Sequence, residues 1–142
     1  MLAAVEGGGT TYVVALAKDK PENIIERASF PTTTPEETLA KCKAWLAQRS
    51  FDALGIATFG PVDLHAGSPT YGYITTTPKP GWKNVDVLGP CKAVRPSVPC
   101  GFDTDVNAPA VAEHAHAVAL DIENDGDTDV FVVGFGFNNM YV

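Results

Sequence analysis

Apolar residues come in short bursts over the first thirty positions. Leu2-Ala3-Ala4-Val5 runs into Glu6 and Gly7-Gly8-Gly9, and Tyr12-Val13-Val14-Ala15-Leu16-Ala17 follows. β-Branched and aromatic side chains favour strands and glycines favour turns, so this pattern predicts two strands joined by a glycine turn. Ile24 to Phe30 predicts a third strand, after the polar turn Lys18 to Glu22. The spacing then changes. Leu39, Cys42, Trp45 and Leu46 recur at helical intervals, which predicts a helix through about Arg49. Thr34 is its expected N-cap, Pro35 suits its first position and Glu37 completes a capping box. Ala53 to Thr58 is apolar without a break, as a strand buried on both faces would be.

From Phe59 to Trp82 the chain is rich in Gly, Pro and Thr and has no period. A stretch of that length inside a compact domain is uncommon and often functional. Beyond it the pattern predicts a weaker helix from Val85 to Val94, a strand from Val98 to Phe102, a helix from Val106 to Val118 and a last strand from Val130 to Val133. Pro109 fits only in the first turn of its helix. The resulting order, β-β-β-α-β-α-β-α-β, predicts an α/β fold: a mixed sheet with helices on its faces. No repeat, linker or low-complexity tract divides the chain, so residues 1–142 are expected to form one domain.

Composition narrows the function. The chain is 45% hydrophobic and 19% charged, ordinary for a globular protein. No run approaches the ~18 apolar residues of a membrane span. The first residues lack the basic start of a secretory signal, so a cytoplasmic address is expected. The net charge is −7 and the 10 Lys and Arg are scattered, which argues against a nucleic-acid partner. A phosphate-bearing small ligand is still admissible, because backbone N–H groups and Mg²⁺ can hold it. Cys42, Cys91 and Cys100 lack metal-type spacing and read as reduced, partly buried thiols.

Four segments carry candidate chemistry. In Glu6-Gly7-Gly8-Gly9-Thr10 the glycines let the backbone approach a ligand, and free N–H groups in such a turn make an anion nest. Glu6 at the strand end can stand near Mg²⁺, directly or through water. The same residues also suit a plain hairpin turn. In Phe102-Asp103-Thr104-Asp105-Val106-Asn107 a strand gives way to acids and a helix, and ligands of open α/β sheets sit beyond such strand ends. Asp105 can accept a hydroxyl proton facing a γ-phosphate, or can simply cap the helix. Asn107 can bond a sugar hydroxyl or face solvent. Gly60-Pro61-Val62-Asp63 and Tyr71 to Trp82 offer Thr hydroxyls, Lys79 and Trp82 for polar and stacking contacts to a sugar ring; the alternative is an irregular surface loop. Two patterns are decoys. Asp121 to Asp129 has EF-hand-like alternation but Val132 where the bidentate Glu belongs. His114 and His116, two apart on a helix, face different directions.

Taken together, MLAAVEGGGTTY, GIATFGPVD, TYGYITTTPKPGW and GFDTDVNAPAVAE resemble the ROK sugar kinases, the bacterial-type fructokinases above all, in this order and at this spacing across residues 1 to about 118. The resemblance implies a ribonuclease H-like lobe of the actin-like ATPase group. It implies ATP- and Mg²⁺-dependent phosphorylation of the 6-hydroxyl of a hexose, fructose first. By position, Gly8, Gly9 and Thr10 resemble the first phosphate loop and Glu6 the acid near the metal. Asp105 matches the catalytic base and Asn107 a sugar contact. Gly60, Pro61, Thr77 and Lys79 fall where the sugar pocket is shaped.

The chain also departs from that pattern. Thr11 stands where family members commonly carry Lys. Val133-Gly134-Phe135-Gly136-Phe137-Asn138-Asn139 stands where a second phosphate loop of GTGIG character is expected, with Phe135 and Phe137 adding bulk. The family's zinc-binding His/Cys segment and C-terminal lobe have no counterpart among the 142 residues. The expectation is therefore an isolated lobe with little or no kinase activity, prone to self-association or homodimer formation through the surface a second lobe would cover. The alternative is a non-catalytic sugar-binding or interaction module.

Overall fold

The computed structural model describes residues 1–112. β1 (Leu2–Gly7), β2 (Thr11–Ala17) and β3 (Ile24–Pro31) form an antiparallel meander. Helix α1 (Pro35–Ala47) crosses to β4 (Ala53–Thr58), which lies parallel to β1. A two-stranded ribbon, β5 (Tyr73–Ile74) and β6 (Val85–Asp86), precedes α2 (Leu88–Lys92). β7 (Cys100–Thr104) then pairs parallel to β4, completing the sheet order β3-β2-β1-β4-β7. Residues 107–112 are helical. The predicted strand at Val130–Val133, the second glycine-rich stretch, the EF-hand-like run, His114 and His116 lie outside the described residues.

The sheet buries one face under α1, α2 and the loop between β4 and β6. Val5, Val14, Leu54 and Ile56 from the strands meet Leu39, Cys42 and Leu46 of α1. Alternation along each strand gives that face its apolar set. The long unpatterned stretch contributes Ile74 and Trp82, and Val87 follows just beyond it, each fully buried. Gly72 makes that return possible. Its φ is +90°, and a Cβ there would lie 2.3 Å from Leu88 Cβ. Its carbonyl accepts from both Val87 and Leu88 N–H, which starts α2.

Several boundaries differ from the sequence reading for identifiable reasons. The capping box at α1 is half made: Thr34 Oγ1 accepts from Glu37 N–H, but the Glu37 carboxylate accepts from Thr33 Oγ1. The helix expected over Val85–Val94 begins as strand β6, because Asp86 turns its carboxylate to the Gly89 N–H. The last paired strand begins at Cys100 rather than Val98; Pro99 has no N–H to give and contributes only its carbonyl, to Leu54 N–H. Cys42, Cys91 and Cys100 are unpaired. Burial pushes the Cys42 thiol up to about 12 and Cys100 up to about 11, so both are held as inert thiols. Among the described residues, no helix is long and apolar enough to cross a membrane.

Candidate active site

Three parallel strands end level with one another. Gly7 of β1 pairs with Thr58 of β4, and Thr58 with Thr104 of β7. Whatever follows these strands must emerge on the same side. After β1 come Gly8, Gly9 and Thr10; after β4 come Gly60 and Pro61; after β7 comes Asp105. The strand ends are also stitched across. Phe59 N–H donates to Gly7 O at 2.7 Å, and Asp105 N–H donates to Thr58 O at 2.9 Å.

The glycine turn is closed by Gly8 N–H donating to Thr11 O at 2.9 Å and by Thr32 Oγ1 donating to Gly8 O at 2.7 Å. Gly9 and Thr10 are exposed. A Cβ on Gly9 would meet nothing within 4 Å, so packing within the described chain does not require its missing side chain.

The Glu6 carboxyl feels the charge of Asp105. Burial raises the Glu6 carboxyl above its ordinary range, the charge of Asp105 raises it further, and Arg27 pulls it partly back. Burial likewise raises Asp105. Both shifts favour the protonated form, in the direction that makes a carboxylate a stronger proton acceptor. Asp105 is not the helix cap: Thr104 Oγ1 accepts from Asn107 N–H at 2.9 Å. Asn107 is exposed, and its side-chain amide donates to Asp103 Oδ1 at 2.9 Å, which fixes its orientation beside Asp105.

The sugar-loop residues divide. Gly60 and Pro61, joined by a cis peptide, sit at the strand ends. Pro61 O accepts from Thr75 N–H, tying this corner to β5. Thr77 and Lys79 bond each other, Lys79 N–H to Thr77 Oγ1 at 3.2 Å, and both are half-buried. They reach the neighbourhood through Trp82, whose N–H donates to Lys79 O. Trp82 is not a sugar platform. It is fully buried, stacks on Tyr12 at 5.4 Å, meets Phe59 edge-on at 5.3 Å, and donates its indole N–H to Thr33 O.

Asp63 organises the loop that follows it. Its carboxylate accepts from Ser68 Oγ, Thr70 Oγ1 and His65 N–H, which holds it well below the usual carboxylate range and folds the loop around it. Among the described residues no group of three His, Cys, Asp or Glu could hold a metal alone. A lone carboxylate such as Glu6 is a donor Mg²⁺ takes when waters and substrate phosphate oxygens complete its shell.

A profile of the ROK family matches residues 2–134. The chain belongs to the ROK family. It is 46% identical over 110 residues to a fructokinase of Lactococcus lactis subsp. cremoris, covering 78% of this chain and 37% of that protein. It is 45% identical over 113 residues to a putative fructokinase of Bacillus subtilis (strain 168), again 37% of that protein. The chain thus spans well under half the length of these curated relatives. Among solved structures it resembles a ROK family protein from Streptococcus pneumoniae TIGR4 in complex with sucrose, with TM-score 0.64 at 19% identity, covering 82% of this chain and 38% of that one. It also resembles a ROK family glucokinase from Streptomyces griseus in complex with glucose and AMPPNP, with TM-score 0.60 at 21% identity, covering 77% and 34%. The expected ribonuclease H-like lobe of the actin-like ATPase group is therefore the fold of this ROK chain.

Proposed function

We propose that this chain is the sugar- and phosphate-facing lobe of a hexose kinase that phosphorylates fructose. One observation carries the reading: the glycine turn, the Gly60-Pro61 corner and Asp105 lie together at the level ends of three parallel strands. The fructokinase relatives support the choice of sugar.

In this reading Asp105 accepts the proton of the 6-hydroxyl and orients its oxygen for in-line attack. Asn107, Gly60, Pro61, Thr77 and Lys79 shape the pocket that presents the hydroxyl. The amides of Gly9 and Thr10 hold phosphate oxygens, while the Gly8 N–H, spent on Thr11 O, keeps the turn closed, and Glu6 would hold Mg²⁺ directly or through water. ATP supplies the phosphoryl group and Mg²⁺ neutralises its charge. Thr11 leaves the phosphate side with less positive field than a lysine there would give.

Calorimetry with fructose and with ATP-Mg²⁺, beside coupled ADP release with fructose, glucose and mannose, tests the proposal. Fructose binding is expected. Any fructose-dependent turnover should fall at least about 10²- to 10⁴-fold in Asp105→Ala, the usual contribution of a general base. No heat from either ligand at millimolar concentration refutes the reading, as does full turnover without Asp105. Fructose binding without nucleotide binding favours the second reading, a non-catalytic sugar-binding module. The bulk of Phe135 and Phe137 where a second phosphate loop is expected points that way.

A further inference from the structure

Tyr12 carries a buried phenol for which the proposed chemistry has no use. Its hydroxyl lies 2.9 Å from Thr58 Oγ1. Both residues are fully buried, and among the described residues neither side-chain oxygen has another hydrogen-bond partner. The pair sits directly over Gly7. A Cβ there would lie 2.3 Å from Tyr12 Cζ and 2.6 Å from Thr58 Oγ1. The bond therefore bridges β2 to β4 across the last residue of β1, one step before the chain enters the glycine turn.

Every element of the site is one link from this pair. Thr58 O accepts from Asp105 N–H, and the next residue, Phe59, donates its N–H to Gly7 O. Gly60 and Pro61 follow directly. The Tyr12 ring stacks on Trp82, which anchors the loop carrying Thr77 and Lys79. A Phe–Val pair would fill the same space with no directional bond. Two hydroxyls fix a distance and an orientation, and each leaves the other unsatisfied in a dry pocket if removed.

We propose that Tyr12 and Thr58 are positioning residues whose hydroxyl pair, seated over Gly7, sets the glycine turn against Asp105. The assignment rests on the kinase reading for what is positioned, but its geometry stands independently. The test uses the 142-residue chain with Thr58→Val, Tyr12→Phe, the double variant and Thr58→Ser. Amide hydrogen exchange of Phe59 and Asp105 is compared with mid-strand amides of β2 and β4, and fructose affinity is measured in parallel. In Thr58→Val and Tyr12→Phe, exchange at Phe59 and Asp105 should quicken about tenfold, with mid-strand amides changing less. Thr58→Ser should restore the original rates. The double variant should regain thermal stability, having no orphaned hydroxyl, while its Phe59 and Asp105 amides stay fast. Fructose affinity should follow the exchange pattern. Unchanged exchange at Phe59 and Asp105, an equal change in mid-strand amides, or failure of Ser to rescue would overturn the positioning role. The expected exchange pattern in proteins that give no fructose heat keeps the positioning role and removes the kinase reading.

Discussion

The two ends of the sheet are built on opposite electrostatic rules. Where β1 begins, opposite charges meet. The Met1 ammonium bonds Asp52 at 2.6 Å, and Arg49 pairs with Glu26 while lying 3.7 Å from the Trp45 ring. Arg95 donates to Arg49 O and Ser50 Oγ. Asp52 and Glu26 are accordingly held below their ordinary range, each first by the hydrogen bond from its partner. A groove of about 490 Å³ opens there, lined by Lys43, Ala44, Ala47, Val94 and Arg95, with no proton acceptor among them. Where β1 ends, burial raises both Glu6 and Asp105, and the charge of Asp105 raises Glu6 further. The volume of a cavity is thus a poor guide here. The proposed chemistry lies at the end where carboxyls are shifted towards the protonated form, a pattern typical of functional sites.

The unfavourable end must rest on something, and the aromatic layer of Tyr12, Phe59 and Trp82 lies beneath it. Trp82→Ala should therefore cost the most, about 3–5 kcal/mol in denaturant unfolding. A loss under about 1 kcal/mol would show that the layer does not support the strand ends. Next comes Gly7→Ala, whose Cβ would strike Tyr12 and Thr58; overpacking of this kind costs about 1–3 kcal/mol. Gly9→Ala, two residues on, enters open space and should stay within about 0.5 kcal/mol of the original. If the kinase reading holds, it should nonetheless weaken ATP-Mg²⁺ binding. Equal stability losses at the two glycines would erase the distinction between a packed strand end and a turn left clear for a ligand.

Much of the favourable end could be read along the chain. The meander and β4 follow from short apolar bursts bounded by turn residues, and α1 from helical spacing, and their signals are local. At the other end, Asp105 and the glycine turn were legible as motifs because their residue types are unusual where a strand ends. Trp82 was not. An aromatic in a Gly/Pro-rich loop looks the same whether the loop stays out or folds back, and only the partners at Tyr12, Phe59 and Thr33 decide it. The Tyr12–Thr58 bond was hidden for the same reason: 46 residues separate its ends, and each looks like an ordinary strand residue. Asp105 alone was legible as a cap; Thr104, one residue earlier, takes the Asn107 N–H instead, while the Asp105 N–H is spent on Thr58 O.

The smallest effects test the electrostatic contrast most directly, through pH. For Glu6 and Asp105 the folded carboxyls titrate above their unfolded values. The stability they contribute is complete below the unfolded carboxylate pKa, about 4, and is lost as pH rises through the raised values. Asp52 and Glu26 are lowered, so theirs is present above about pH 4 and lost as pH falls. Glu6→Gln and Asp105→Asn should consequently raise the melting temperature at pH 7, with the gain shrinking towards zero below about pH 4. Glu26→Gln should slightly lower it at pH 7 and do nothing in acid. In Asp105→Asn, the Glu6 carboxyl, followed by NMR of its carboxyl carbon, should titrate at lower pH because the neighbouring negative charge is gone. It should remain above its ordinary value, because burial is the larger cause and survives the substitution. A Glu6 titration that ignores Asp105→Asn would mean that the two acids do not share a field, and the contrast between the two ends would lose its chemical half.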